Sequence, residues 1–166
     1  MQNEDLSRHR ILFLGSEVTA QAAENLIAGF LLLDAQDHEA SIDLYINIPG
    51  GSDSSGMAII DTMRCIRAPI HTVCVGVAAS MAAWILAAGS RGQRRITPNA
   101  EIMIHQMSTR IGGQATDIQV QARQIERLQE RMVGLLADWT GQTPDKVRED
   151  MDRDFYMTAA EAKGYG

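Results

Sequence analysis

Cysteine is scarce in this chain. Two thiols, Cys65 and Cys74, stand in 166 residues, too few for a disulfide framework and in keeping with a reducing compartment, for which cytoplasm is the simplest address. No secretory leader is expected either: the opening MQNEDLSRHR is polar and has no apolar core. Charge is missing altogether from Thr72 to Ser90. That stretch is dominated by Ala, Gly and Ser and follows directly on the β-branched "IHTVCVG", so it reads as a strand and a small-residue helix rather than a membrane span. Basic residues are in deficit, 15 Lys and Arg against 21 Asp and Glu for a net charge of −6, and they are scattered, which excludes a nucleic-acid footprint. The small cluster Arg91, Arg94 and Arg95 reads as a solvated turn. No lysine follows the glycines of "IPGGSDSSG", so a phosphate loop is excluded. No His, Cys or Asp set has metal-ligand spacing, and neither a metal nor another cofactor is expected in the chain.

What is present is an ordinary globular interior. With 45% hydrophobic residues over this length, the chain can bury one sizeable core, and a single domain over 1–166 is expected. Strand-like and helix-like segments alternate. "RILFLG" is a short apolar run, followed by Ala22, Leu26, Ile27, Phe30 and Leu33 at helical spacing. "SIDLYINIPGG" alternates Ile42, Leu44 and Ile46 against Asp43, Tyr45 and Asn47 before a turn, and "SGMAIIDTMRCI" follows as a helix. Strand "IHTVCVG", expected to end at Gly76, leads to helix "SMAAWILAAG" and to strands "RRITP" and "AEIMIHQ". This order argues an α/β layered fold with largely parallel strands. From Thr116 to Thr140, Ile118, Ala122, Ile125, Leu128, Met132, Leu135 and Trp139 keep three-and-four spacing, which predicts a long helix with one buried stripe. "TPDKVREDM" then opens a helix with a Thr cap and Pro in its first turn.

Against this background one hydroxyl is conspicuous. Ser80 stands in "VGVAASMAAWILAAGS" among alanines and large apolar side chains, and a buried hydroxyl needs a partner or a task. If it opens the helix, it either caps the first turn or sits where outward N–H groups favour a developing oxyanion. A nucleophilic serine needs a base and an orienting acid. His9 and His38 lie in charged surroundings and His71 at the start of a strand, whereas His105 interrupts the apolar "EIMIHQM". Asp154 in "DMDRDFYMTAAEA" leads directly into an apolar aromatic segment. Each residue alone has a plainer reading: a cap, a core histidine, a solvated carboxylate. The amides near Gly50 and Gly51, between a strand and a helix, could face a substrate oxygen.

Taken together, "YINIPGG", "GMAIIDTM", "VGVAASMAAWILAAGS", "NAEIMIHQ", "GQATDIQVQARQI" and "DRDFYMTAAEAKGYG" resemble the Clp protease proteolytic subunit family of ATP-dependent serine peptidases. The likeness runs in order from about Arg10 to Gly166. It implies a crotonase-like fold of repeated β-β-α units, with a head at 10–107 and 141–166 and a handle strand and long helix at 108–140. It implies a triad carried by Ser80, His105 and Asp154, an oxyanion hole from the Gly51 and Met81 amides, and substrate pairing as an added strand along Ile111, Gly112, Gly113 and Gln114. Apolar walls would suit hydrophobic residues at the cut.

The resemblance also implies two heptameric rings, of one or of mixed subunits, with Gln114, Asp117 and Arg153 at their contacts. ATP would be used by a partner AAA+ unfoldase that feeds unfolded polypeptides. The family's docking cleft maps here to Asp43, Tyr45, Cys65, Val73, Val75, Arg95 and Thr97, several of them polar or charged, so docking through a second, differently lined subunit is expected. Met107 stands where the family usually has Pro, and Ala82 where Gly is common. The segment before "RILFLG" is short for the family's gate loops, and the family continues past "KGYG" with a final strand. Two alternatives remain open: a non-catalytic ring subunit, and a CoA-ester enzyme of the same fold, which needs the two amides but not the three side chains.

Overall fold

The computed structural model describes residues 2–166. In chain order its elements are α1 (Gln2–Arg8), β1 (Ile11–Leu14), α2 (Ala20–Gln36), β2 (Ile42–Ile48), α3 (Asp53–Cys65), β3 (Ile70–Ala79), α4 (Met81–Ala87), β4 (Arg94–Ile96), β5 (Glu101–Ile104), α5 (Ala115–Thr140), α6 (Pro144–Asp150), β6 (Phe155–Thr158) and α7 (Ala159–Tyr165). The strands form one sheet in the order β1-β2-β3-β5-β6, with β4 paired to β3 beside β5. All pairings are parallel except β5 with β6. The expected mixed α/β architecture is present.

Period-two alternation on β2 explains the layering. Ile42, Leu44, Ile46 and Ile48 are buried while Asp43, Tyr45 and Asn47 point to the other face. Helices α2, α3 and α4 cover the apolar face with Leu26, Phe30, Leu33, Ile59, Ile60 and Trp84. Thr19 and Ser52 cap α2 and α3 through their side-chain oxygens. Arg10 locks the entry to β1. It adopts a left-handed φ of 59°, and its guanidinium donates to the carbonyls of Leu33, Asp37, Ala40 and Ser41 at 2.8–3.0 Å.

Strand β3 does not end at Gly76 as expected. Gly76, at φ 81°, lies in an irregularity where the pairing jumps from Ile46↔Cys74 to Ile48↔Ala78. The Asn47 carboxamide oxygen fills the space of a Gly76 Cβ and accepts from the Val77 N–H at 3.2 Å. A glycine in a strand therefore marks a bulge here rather than a terminus. The bulge lets β3 pair β4 through Thr72–Cys74 and β5 through Val77–Ala79. Its further run carries the chain to Ser80.

Three other expectations need correcting. The long helix is present, but its apolar stripe is buried only near the C-terminal end, at Met132, Val133, Leu136 and Ala137. Toward the N-terminus Ile118 is 36% and Val120 57% exposed, because nothing in the single chain lies over them. The Gly-rich segment holding Ile111, Gly112, Gly113 and Gln114 forms no strand among the described residues, having no neighbouring strand to pair with. Arg94 is not in a solvated turn: it is half-buried in β4 and donates to the carbonyls of Ala87 and Trp139 at 3.2 and 2.8 Å. Burial and the nearby Arg91 lower its pKa. Among the described residues no helix is long and apolar enough to cross a membrane.

Candidate active site

The chain rises along β3, ends at Ala79 and turns into α4 through Ser80, whose φ of 52° and ψ of −131° lie in a region that side-chain-bearing residues rarely occupy. The Ser80 N–H is tied to the Met103 carbonyl of β5 at 2.9 Å, which fixes the turn against the neighbouring strand. Its hydroxyl makes no cap bond to the helix. It lies instead 2.8 Å from His105 Nε2. The plain capping role is thereby excluded, and the strained backbone aims Oγ out of the helix axis toward the imidazole.

His105 follows directly on β5, one residue beyond buried Ile104. Its side chain is 24% exposed, so one edge meets solvent while the body rests on the protein. The segment after it is held by two bonds to the turn after α6: the Gln106 N–H donates to the Met151 carbonyl at 2.6 Å, and its carboxamide donates to the Asp152 carbonyl at 2.8 Å. Met107, in place of proline, keeps a backbone N–H and uses it to bond the Gln129 carboxamide of α5 at 2.8 Å. Asp154 stands just before β6. Its Oδ1 lies 4.0 Å from His105 Nδ1, and its side chain is 60% exposed. The serine–imidazole limb is therefore closed and the imidazole–carboxylate limb open.

Gly50 and Gly51 lie across from Ser80 with φ of 121° and 144°. A Cβ on Gly50 would stand 2.7 Å from Ser80 Cβ, and one on Gly51 would stand 2.6 Å from the Val18 backbone. Glycine is required at both positions by conformation and by contact. The Val18 N–H bonds the Gly50 carbonyl and the Ser52 N–H bonds the Val18 carbonyl, at 2.9 and 2.8 Å. The Gly51 and Met81 amides have no backbone acceptor among the described residues. Both residues line a small pocket of about 80 Å³ together with Ser80 and His105.

The same pocket holds a side chain that the sequence reading passed over, Asp53, in the first turn of α3. The larger cavity, about 710 Å³ and lined by Ile96, Ile102, Leu136 and Met157, includes neither Ser80 nor His105 and has no histidine or acidic side chain in its lining. Cys74 is not a competing nucleophile: it is buried, and burial pushes its thiol up to about 11. No set of His, Cys, Asp and Glu able to hold a metal occurs among the described residues.

A serine hydroxyl within hydrogen-bond distance of an imidazole, beside two amides without a backbone acceptor and on this strand-to-helix frame, invites comparison with known peptidases. The family model described as Clp protease matches residues 2–166. The chain is also 50% identical over 161 residues to the "ATP-dependent Clp protease proteolytic subunit 2" of Synechococcus sp. (strain CC9605), covering 97% of this chain and 82% of that one. The chain belongs to the Clp protease family. Its activity class is that of a serine endopeptidase subunit of a Clp protease. Within the family frame, Gln114 stands at the N-cap of α5 without a side-chain cap bond, Asp117 lies exposed in its first turn, and Arg153 is 85% exposed with its guanidinium 3.9 Å from Asp152.

Proposed function

We propose that Ser80 is the acylating nucleophile, His105 its general base and Asp154 the carboxylate that orients the imidazole. The observation that carries this reading is the 2.8 Å contact between Ser80 Oγ and His105 Nε2 at a serine that does not cap its own helix. Neutral His105 takes the hydroxyl proton through Nε2 as Oγ attacks a peptide carbonyl. The carbonyl oxygen, gaining charge, is met by the Gly51 and Met81 amides. The imidazolium returns the proton to the departing amine, and a water, deprotonated in its turn by His105, releases the acyl group. Substrate runs beside Ile111–Gln114 as an added strand, supplying the partner that this segment lacks in the single chain.

The active form in this reading is a pair of heptameric rings that meet through the 108–140 handles, with Gln114, Asp117 and Arg153 at the contacts. Ile118 and Val120, exposed in the single chain, are covered there. Assembly also closes the 4.0 Å gap between His105 and Asp154. An AAA+ unfoldase using ATP feeds the chamber, docking through a second, differently lined subunit. A polar set on the outer sheet face supports that last point: His71 Nδ1 lies 3.4 Å from Asp43 Oδ1, Arg95 lies 3.5 Å from His71, and Asp43 Oδ1 is buried without a hydrogen bond. The open acid limb favours one alternative, a ring subunit that scaffolds without hydrolysing. Hydrolysis of a short fluorogenic peptide by the assembled protein separates the two. Turnover that falls by at least about a thousandfold in Ser80→Ala supports the peptidase, and no turnover by intact rings supports the scaffold.

A further inference from the structure

We propose that Asp53 sets specificity by receiving a Lys or Arg side chain from the residue that contributes the scissile carbonyl, an inference that rests on the peptidase reading above. The walls anticipated as apolar are mixed: Met81, Trp84, Met107, Met132 and Met151 line the pocket beside polar side chains, of which Asp53 is the one carboxylate. Asp53 lines the pocket that also holds Ser80 Oγ, His105 and the Gly51 amide, and it lies two residues beyond Gly51 at the start of α3. It is half-buried and makes no hydrogen bond or salt bridge among the described residues. Burial raises its pKa, and the nearby His105 partly offsets that rise. A partly desolvated carboxylate with no partner is costly, and a cation arriving with substrate relieves that cost.

Position selects the substrate residue. With the carbonyl carbon about 3 Å from Ser80 Oγ and its oxygen at the Gly51 amide, the side chain on the adjoining Cα points into the remaining space of the pocket. Asp53 stands on the wall of that space. A long side chain ending in an ammonium or guanidinium reaches it while its methylenes lie along Met81 and Met132, which line the same pocket. Leu or Met at that substrate position fills the pocket but leaves the carboxylate unpaired.

The test compares two fluorogenic peptides that differ only in having Lys or Leu before the cut, on assembled wild type, Asp53→Asn and Asp53→Leu. The readout is the ratio of kcat/KM for the two peptides within each protein, so partial loss of folding or assembly cancels. Wild type should favour Lys by at least about tenfold, the scale of a charge-assisted contact. Asp53→Asn should bring the ratio near unity, mainly through KM for the Lys peptide, and Asp53→Leu should invert it. Equal or better cleavage of the Leu peptide by wild type, with Ser80 carrying the activity, overturns the specificity role and leaves the peptidase reading standing. No cleavage of either peptide by intact rings overturns both.

Discussion

The backbone that holds Ser80, rather than any feature of the residue itself, turns its hydroxyl from the helix to the imidazole. Ser80 occupies a left-handed φ between a long strand and a helix, and Gly50 beside it leaves room that a side chain would fill. The sequence made the candidate visible through its uncharged setting, and His105 through its interruption of an apolar strand. It could not show that Ser80 leaves its helix uncapped, because the outcome depends on φ and on a residue 25 positions away. Asp53 escaped notice for a similar reason: in sequence it is an ordinary acidic residue of a helix's first turn, and only the fold sets it beside the imidazole. The proposed base role of His105 has its own consequence: His105→Ala in assembled rings should lose turnover about as completely as Ser80→Ala. A His105→Ala variant that keeps most of its turnover, with rings intact, removes His105 from that role.

Elements were legible where periodicity was strong and opaque where pairing decided the outcome. The buried row of β2, the Thr143 cap of α6 and the length of α5 follow directly from residue order. The continuation of β3 past Gly76 does not, since it depends on Asn47 filling the glycine's side. Nor was the link between α2 and the turn before β3 foreseeable. Asp34 of α2 accepts N–H bonds from Ala68 and Arg67 at 2.9 and 3.0 Å. The Ala68 bond foremost, then those of Arg67, hold its carboxyl below the usual range. A depressed folded pKa gives stability that is present above the unfolded carboxylate value and lost as pH falls through the folded one. Asp34→Ala should therefore melt below wild type at neutral pH, and the gap should close in acid. A gap that persists unchanged in strong acid contradicts the charge-based role.

At the scale of the molecule the single chain is unfinished in a definite direction. The α5 stripe is buried at one end and bare at the other, and the Gly-rich segment has no strand beside it. Asp154 stands exposed at 4.0 Å from the imidazole it is proposed to orient. The proposed ring assembly would account for all three. The outer sheet face points the other way, away from tight apolar docking. A loop entering there must desolvate Asp43 or Arg95 without an assured partner. A ring made only of this chain should bind an unfoldase weakly, and replacing Asp43 and Arg95 with large apolar residues should strengthen docking, measured by ATP-dependent degradation of a folded substrate. Tight docking by the unaltered homomeric ring contradicts this.

The central claim is that Ser80 is the activated nucleophile, and covalent labelling tests it most directly. Assembled protein treated with a fluorophosphonate probe and mapped by peptide mass analysis should carry the adduct on Ser80. Labelling should vanish in Ser80→Ala and fall sharply in His105→Ala. Intact rings that stay unlabelled, or that carry the probe on another residue, would contradict the account.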